Sequence, residues 1–160
     1  MSKQEIIKRI TLSIKEMALG DVKRAMIGKS KMGSIILGSC LMDCLATFYY
    51  GNCSTGKNYR SFVDKFLPQY DSRNFYEDLR CKLVHDYSEG GSYVFKDNKP
   101  IEHLKKYKKS NKIIINLENF VEELEKIVDD YLKLITNDDV AYKNALKRIK
   151  SLGLLGIIKD

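Results

Sequence analysis

Apolar positions recur at three- and four-residue spacing along most of the chain, which is the period of a helix face. Ile7, Ile10, Ile14 and Met17 mark the first such stretch and predict a helix over about 2–26. A short basic turn, Gly28 to Gly33, follows it. The next helix, about 32–50, is apolar almost all round, as expected of the central helix in a bundle. Its exceptions, Ser39, Asp43 and Thr47, are four apart and so share one polar stripe. Gly51 to Gly56 closes it as a loop, and a short helix around 59–67 runs into Pro68. Asp71 and Ser72 suit the cap of the following helix, whose core face is Phe75, Leu79 and Leu83 and which stops at Ser88-Glu89-Gly90-Gly91.

The pattern then changes. Tyr93-Val94-Phe95 and Lys112-Ile113-Ile114-Ile115 are β-branched or aromatic runs separated by a basic, turn-rich stretch, which predicts a small β-hairpin at about 92–116. Asn116 is placed to cap a helix to about Ile135, with Leu117, Val121, Leu124, Val128 and Tyr131 on one face and Glu118, Glu122, Glu125 and Asp129 on the other. A last helix follows Asp138 and ends in an apolar tail, 152–158. The economical architecture is an all-α, up-and-down helical bundle, one domain over 1–160, with the hairpin inserted between helices.

Composition narrows the class. The 160 residues suit one domain, and only two prolines and ten glycines interrupt a chain that is 44% hydrophobic and 31% charged. A core of this size needs neither metal nor disulfide, and no metal or cofactor is expected. The first residues mix charges into their apolar positions, unlike a secretory signal. The longest apolar run, Ile35 to Tyr50, has 16 residues with Asp43 near its middle, which predicts a buried helix and no membrane partner. Four cysteines without a CxxC pair agree with packed thiols in a reducing cytoplasm. The net charge of +7 is compatible with a nucleic-acid partner.

Candidate chemistry lies in Arg80-Cys81-Lys82-Leu83-Val84-His85-Asp86-Tyr87. On an α-helical wheel Arg80 and Tyr87 are nearly eclipsed, and His85 falls off the Phe75/Leu79/Leu83 stripe. A histidine so placed is a surface residue, a subunit contact or a working imidazole able to move a proton near neutral pH. Arginine offers a fork of donors to a phosphate, and tyrosine can stack on a base or hold a phosphate oxygen. RNA carries its own nucleophile, the 2′-hydroxyl, so these groups are close to a minimal kit for cleaving it.

R-x4-H followed by x-Y, at Arg80, His85 and Tyr87 on a late helix of a small helical chain, resembles the HEPN superfamily. It is similar in particular to HEPN toxins paired with a minimal nucleotidyltransferase antitoxin, and the likeness covers about half the chain, with the order central helix, loop, motif helix running from Asp43 to Tyr87. The resemblance implies a four- or five-helix bundle that dimerises and joins two Arg/His sets into a metal-independent endoribonuclease. By that likeness Arg80 holds and polarises the phosphate, His85 is the acid or base, and Tyr87 is the position at which an antitoxin attaches AMP. Cys81 departs from the polar residue that often follows the arginine. The alternative from another class is a non-catalytic HEPN-like scaffold that binds RNA or a nucleotidyltransferase; a plain helical interaction protein is the third reading.

Two further features bear on this. A carboxylate on an apolar helix is costly unless paired, so Asp43 calls for a partner: Arg80, a tyrosine or a backbone group. The stretch from Lys96 to Lys112 holds seven lysines against Asp97 and Glu102, most of the excess charge of the chain. Lys105, Lys106, Lys108 and Lys109, with Tyr93, Phe95 and Tyr107 interleaved nearby, resemble a surface that tracks a phosphate backbone; a solvated edge protected by lysines is the alternative.

Overall fold

The computed structural model describes residues 2–52, 55–88 and 91–152; Cys53, Glu89, Gly90 and the apolar tail beyond residue 152 lie outside the described residues. The helices are α1 (3–27), α2 (Lys31–Tyr50), α3 (Gly56–Phe66), α4 (72–86), α5 (Leu117–Asn137) and α6 (Asp139–Leu152). Strands β1 (Tyr93–Lys96) and β2 (Ile113–Asn116) lie between α4 and α5. The chain is thus mostly helical with one small sheet. Side chains set several of the helix starts. Ser2 and Glu5 form a reciprocal capping box at α1. Asp71 accepts from the Asn74 N–H at 2.8 Å, Asn116 from Asn119 at 3.2 Å and Asp138 from Ala141 at 2.8 Å. Gly51, at φ 67°, ends α2 in the left-handed region, and a Cβ there would lie 2.9 Å from the Asn144 Cα of α6.

Two helices are locally underwound into π-helical stretches, Leu12–Leu19 in α1 and Phe75–Leu83 in α4. Such stretches pair residues five apart along one face, where an α-helix pairs those three and four apart.

Helix α2 is the hub, packed against α1, α3, α4, α5 and α6. At Gly38 a Cβ would come within 2.6 Å of the Phe120 ring and 2.8 Å of Leu124, so α5 closes directly onto the α2 backbone. By length and composition α2 could cross a membrane, yet 56% of its most apolar window is buried inside the fold. Helix α5 buries Leu117, Phe120, Val121, Leu124, Ile127, Val128, Tyr131 and Ile135. Its other face is not simply solvated: Asp129 and Glu125 each pair at 2.6 Å with Lys15 and Lys23 of α1.

The expected β-hairpin is corrected. β1 and β2 run parallel, in register Tyr93↔Ile113 to Lys96↔Asn116, joined by a crossover over 97–112. Parallel neighbours need a connection of about a dozen residues or more, and this one is long enough to reverse the second strand. The antiparallel turn lies inside the crossover instead. Lys106 bridges to Ile113, Leu104 N–H donates to Ile114 C=O at 2.8 Å, and Tyr107 N–H donates to Lys112 C=O at 2.8 Å. β2 is therefore flanked on both sides. The carboxylate of Asp78, almost fully buried on α4, receives the Ser92 N–H at 2.8 Å and the Lys82 ammonium at 2.8 Å, fixing where the chain leaves the helix for β1.

Candidate functional site

Helix α4 presents Phe75, Leu79 and Leu83 to the core, all fully buried, which turns Arg80 toward α2. There Arg80 Nε donates to Asp43 Oδ2 at 2.8 Å, in a pair whose side chains are 24% and 14% exposed. The polar stripe on α2 thus divides its work. Ser39 Oγ meets the buried Tyr59 hydroxyl at 3.3 Å and Thr47 Oγ1 donates to the Cys44 carbonyl, while Asp43 faces the arginine. Burial pulls the Arg80 guanidinium pKa down, but the Asp43 hydrogen bond and charge outweigh it and the net shift is upward. The side chain is a fixed cation.

Arg80 Nη1 also lies 3.1 Å from His85 Nε2. A guanidinium only donates, so Nε2 is the lone-pair nitrogen and the ring proton sits on Nδ1. In an α-helix residues five apart point about 140° away from each other. Through the Phe75–Leu83 stretch the helix instead pairs residues five apart, and Arg80 and His85 meet across its C-terminal end. His85 is exposed, so its imidazole is open to a ligand from outside. Asp43 and His85 together use only part of the five-donor fork of Arg80.

The helix ends at Asp86, and Tyr87 sits at φ 51° in the left-handed region with 67% of its surface exposed. Glycine is the usual residue in such a position, so backbone preference does not account for this tyrosine.

Residues that sequence reasoning did not connect complete the surroundings. Tyr76, one turn before Arg80, has its pKa raised, first by its interaction with the neighbouring Cys81 side chain and then by burial, which keeps the phenol protonated. Arg60 of α3 lies over that ring, its guanidinium carbon 5.5 Å from the centroid. No spacing rule links Arg60 to Tyr76; only packing of α3 on α4 brings them together.

The lysines of the crossover divide. Lys96 pairs with Glu102 at 2.6 Å and lies over the Tyr107 ring at 4.9 Å. Lys105, Lys106, Lys108 and Lys109 are exposed along the antiparallel turn. Of the aromatic residues on α2 and α3, Tyr59 and Phe62 are buried, while Tyr49 and Tyr50 are half-buried in edge-to-face contact at 4.9 Å.

His103, given no role by the sequence, anchors the crossover. Asn116 N–H donates to its Nδ1 at 3.0 Å, so the ring proton sits on Nε2, 3.3 Å from Glu123 Oε1 and 3.2 Å from the Tyr70 hydroxyl. Tyr70 donates to Glu123 Oε2 at 2.5 Å and Gln69 to Oε1 at 2.9 Å. Burial works to raise the Glu123 pKa, but His103, Tyr70 and Gln69 hold the carboxyl below its ordinary value. Both ring nitrogens of His103 are engaged within the fold, whereas His85 faces solvent.

No family model, curated protein or solved structure matches this chain.

Proposed function

We propose that the protein is a HEPN-type, metal-independent endoribonuclease of the cytoplasm, acting as a homodimer through Arg80 and His85, in the manner of a toxin held by a nucleotidyltransferase antitoxin. The observation that carries the reading is the Asp43–Arg80–His85 chain: a cation braced from behind by a carboxylate, with an exposed imidazole lone pair beside it. A phosphate entering this site takes donors from Arg80, which releases His85 Nε2 to accept the proton of the 2′-hydroxyl. The 2′-oxygen attacks phosphorus, the bond from phosphorus to the 5′-oxygen breaks, and water protonates the leaving oxygen. The 5′ fragment keeps a 2′,3′-cyclic phosphate, and the growing charge on the phosphoryl oxygens is held by Arg80. Exposed Lys105, Lys106, Lys108 and Lys109 add a sequence-independent hold on the RNA backbone. Tyr87, exposed beyond the helix end, is the acceptor for AMP in this reading, and its modification excludes RNA by charge and bulk.

Purified protein should cut single-stranded RNA in EDTA and leave cyclic-phosphate ends. His85→Ala should lower turnover by roughly 10²–10⁴-fold, the usual worth of a positioned acid–base group. Arg80→Ala should be comparably severe. RNA left intact in both EDTA and magnesium, with His85→Ala behaving as wild type in cells, would transfer the proposal to the non-catalytic scaffold that binds RNA or a nucleotidyltransferase.

A further inference from the structure

We infer that Arg60 and Tyr76 form a nucleobase platform beside the Arg80/His85 site, so that the chain grips the nucleotide flanking the phosphate and not the phosphate alone. The inference rests on the ribonuclease reading for its substrate class, single-stranded RNA.

Three observations carry it. The first is the state of Arg60. Its guanidinium lies over the Tyr76 ring at 5.5 Å, is only partly buried, and has no carboxylate partner among the described residues. That planar cation is backed by an aromatic face.

The second is how firmly the ring is held. A Cβ at residue 56 would lie 3.0 Å from the ring carbons of Tyr76 and 3.1 Å from its hydroxyl oxygen, so the glycine there makes room for the ring edge. Tyr59, itself buried, lies behind it with centroids 5.4 Å apart. A surface already fixed in place loses little conformational entropy when a ligand stacks on it.

The third is location. Tyr76 precedes Arg80 by one turn on the same helix. Bases stack on aromatic side chains and on arginine planes alike, and this pair offers one laid over the other. In-line attack by a 2′-hydroxyl also needs the ribose oriented. A phosphate held by Arg80 can still rotate about its ester bonds, whereas a stacked base on the neighbouring nucleoside stops that rotation.

The test uses a labelled 2′-O-methyl RNA oligonucleotide, which lacks the nucleophile and cannot be cut, with binding read by fluorescence anisotropy on the full chain. Tyr76→Leu should weaken binding between about fivefold and about a hundredfold, the usual range for loss of one stacked base. Arg60→Ala should weaken it and reduce the salt slope by about 0.7, the value for one phosphate contact on a single strand. Arg60→Lys should keep the slope without restoring the affinity, because it keeps the charge and loses the plane. Replacing the bases one at a time by abasic residues should identify a position that matters to wild type and no longer matters to Arg60→Ala. Tyr76→Phe, which keeps the ring and deletes the hydroxyl, should retain most of the affinity and covers the case in which Tyr76→Leu fails to fold.

Oligonucleotide binding that Arg60→Ala leaves unchanged at every abasic position, or no binding by wild type, overturns the platform. The two readings separate cleanly. A wild type that cuts no RNA but shows the abasic dependence keeps the platform and loses the nuclease. A wild type that cuts RNA, with Arg60→Ala cutting and binding equally well, keeps the nuclease and loses the platform.

Discussion

An arginine side chain keeps a fixed direction when a carboxylate braces one of its nitrogens, and Asp43 braces Arg80 in this way. Its carboxylate holds Nε, which leaves the terminal nitrogens of Arg80 turned to His85 and the exterior. Both side chains are less than a third exposed, so the pair is not a solvent-screened surface contact. Asp43→Asn preserves volume and removes the charge. It should cost about 1.5–3 kcal/mol of unfolding free energy, the range for a hydrogen bond to a charged group, as measured by chemical denaturation. A loss below about 0.5 kcal/mol, the scatter of neutral surface changes, would mean that Arg80 is held by something else. Tyr87 differs. Its backbone sits in the left-handed region, which glycine adopts at lower cost, and its side chain is exposed.

At the scale of elements, the crossover between β1 and β2 is attached to α5 at two carboxylates, Glu118, which accepts the Asn98 N–H at 3.0 Å, and Glu123. Glu123 on α5 gathers Tyr70, Gln69 and His103, while His103 receives the N–H of Asn116 at the end of β2. Because the Glu123 carboxyl is held below its ordinary range in the fold, its contribution is fully present above the unfolded pKa, about 4.3, and is lost as pH falls through the lower folded value. Melting temperature should therefore fall more steeply below about pH 4.3 in wild type than in Glu123→Gln, which has no proton to take up at that position. Parallel profiles would assign the acid sensitivity to other carboxylates.

Much at this scale was legible in the sequence. The α5 face and the Asn116 cap follow directly from apolar period and capping chemistry, because both are local. Strand direction was not legible, since two β-branched runs joined by a long link are equally compatible with either pairing, and the path of the link decides. The meeting of Arg80 with His85 was hidden for another reason: an ideal wheel separates them, and only the π-helical stretch closes the gap. Arg60 with Tyr76 and His103 with Glu123 are contacts of packing, beyond any local rule.

For the whole molecule, one Arg/His set on an open surface is a sparse catalytic centre, and the proposed reaction calls for a two-fold assembly that brings both α4 helices together. Light scattering across a range of concentrations should give twice the monomer mass, and a monomer throughout would remove the composite site from the proposal. Helix α2 adds a consequence for biogenesis. While the chain emerges from the ribosome, before α1 and α3–α6 cover it, α2 presents a segment apolar and long enough to be mistaken for a membrane anchor. An aspartate near the middle of such a segment opposes insertion by about 2.5–3.5 kcal/mol. The residue that pairs with Arg80 in the folded protein therefore also weighs against insertion of the bare helix into a membrane.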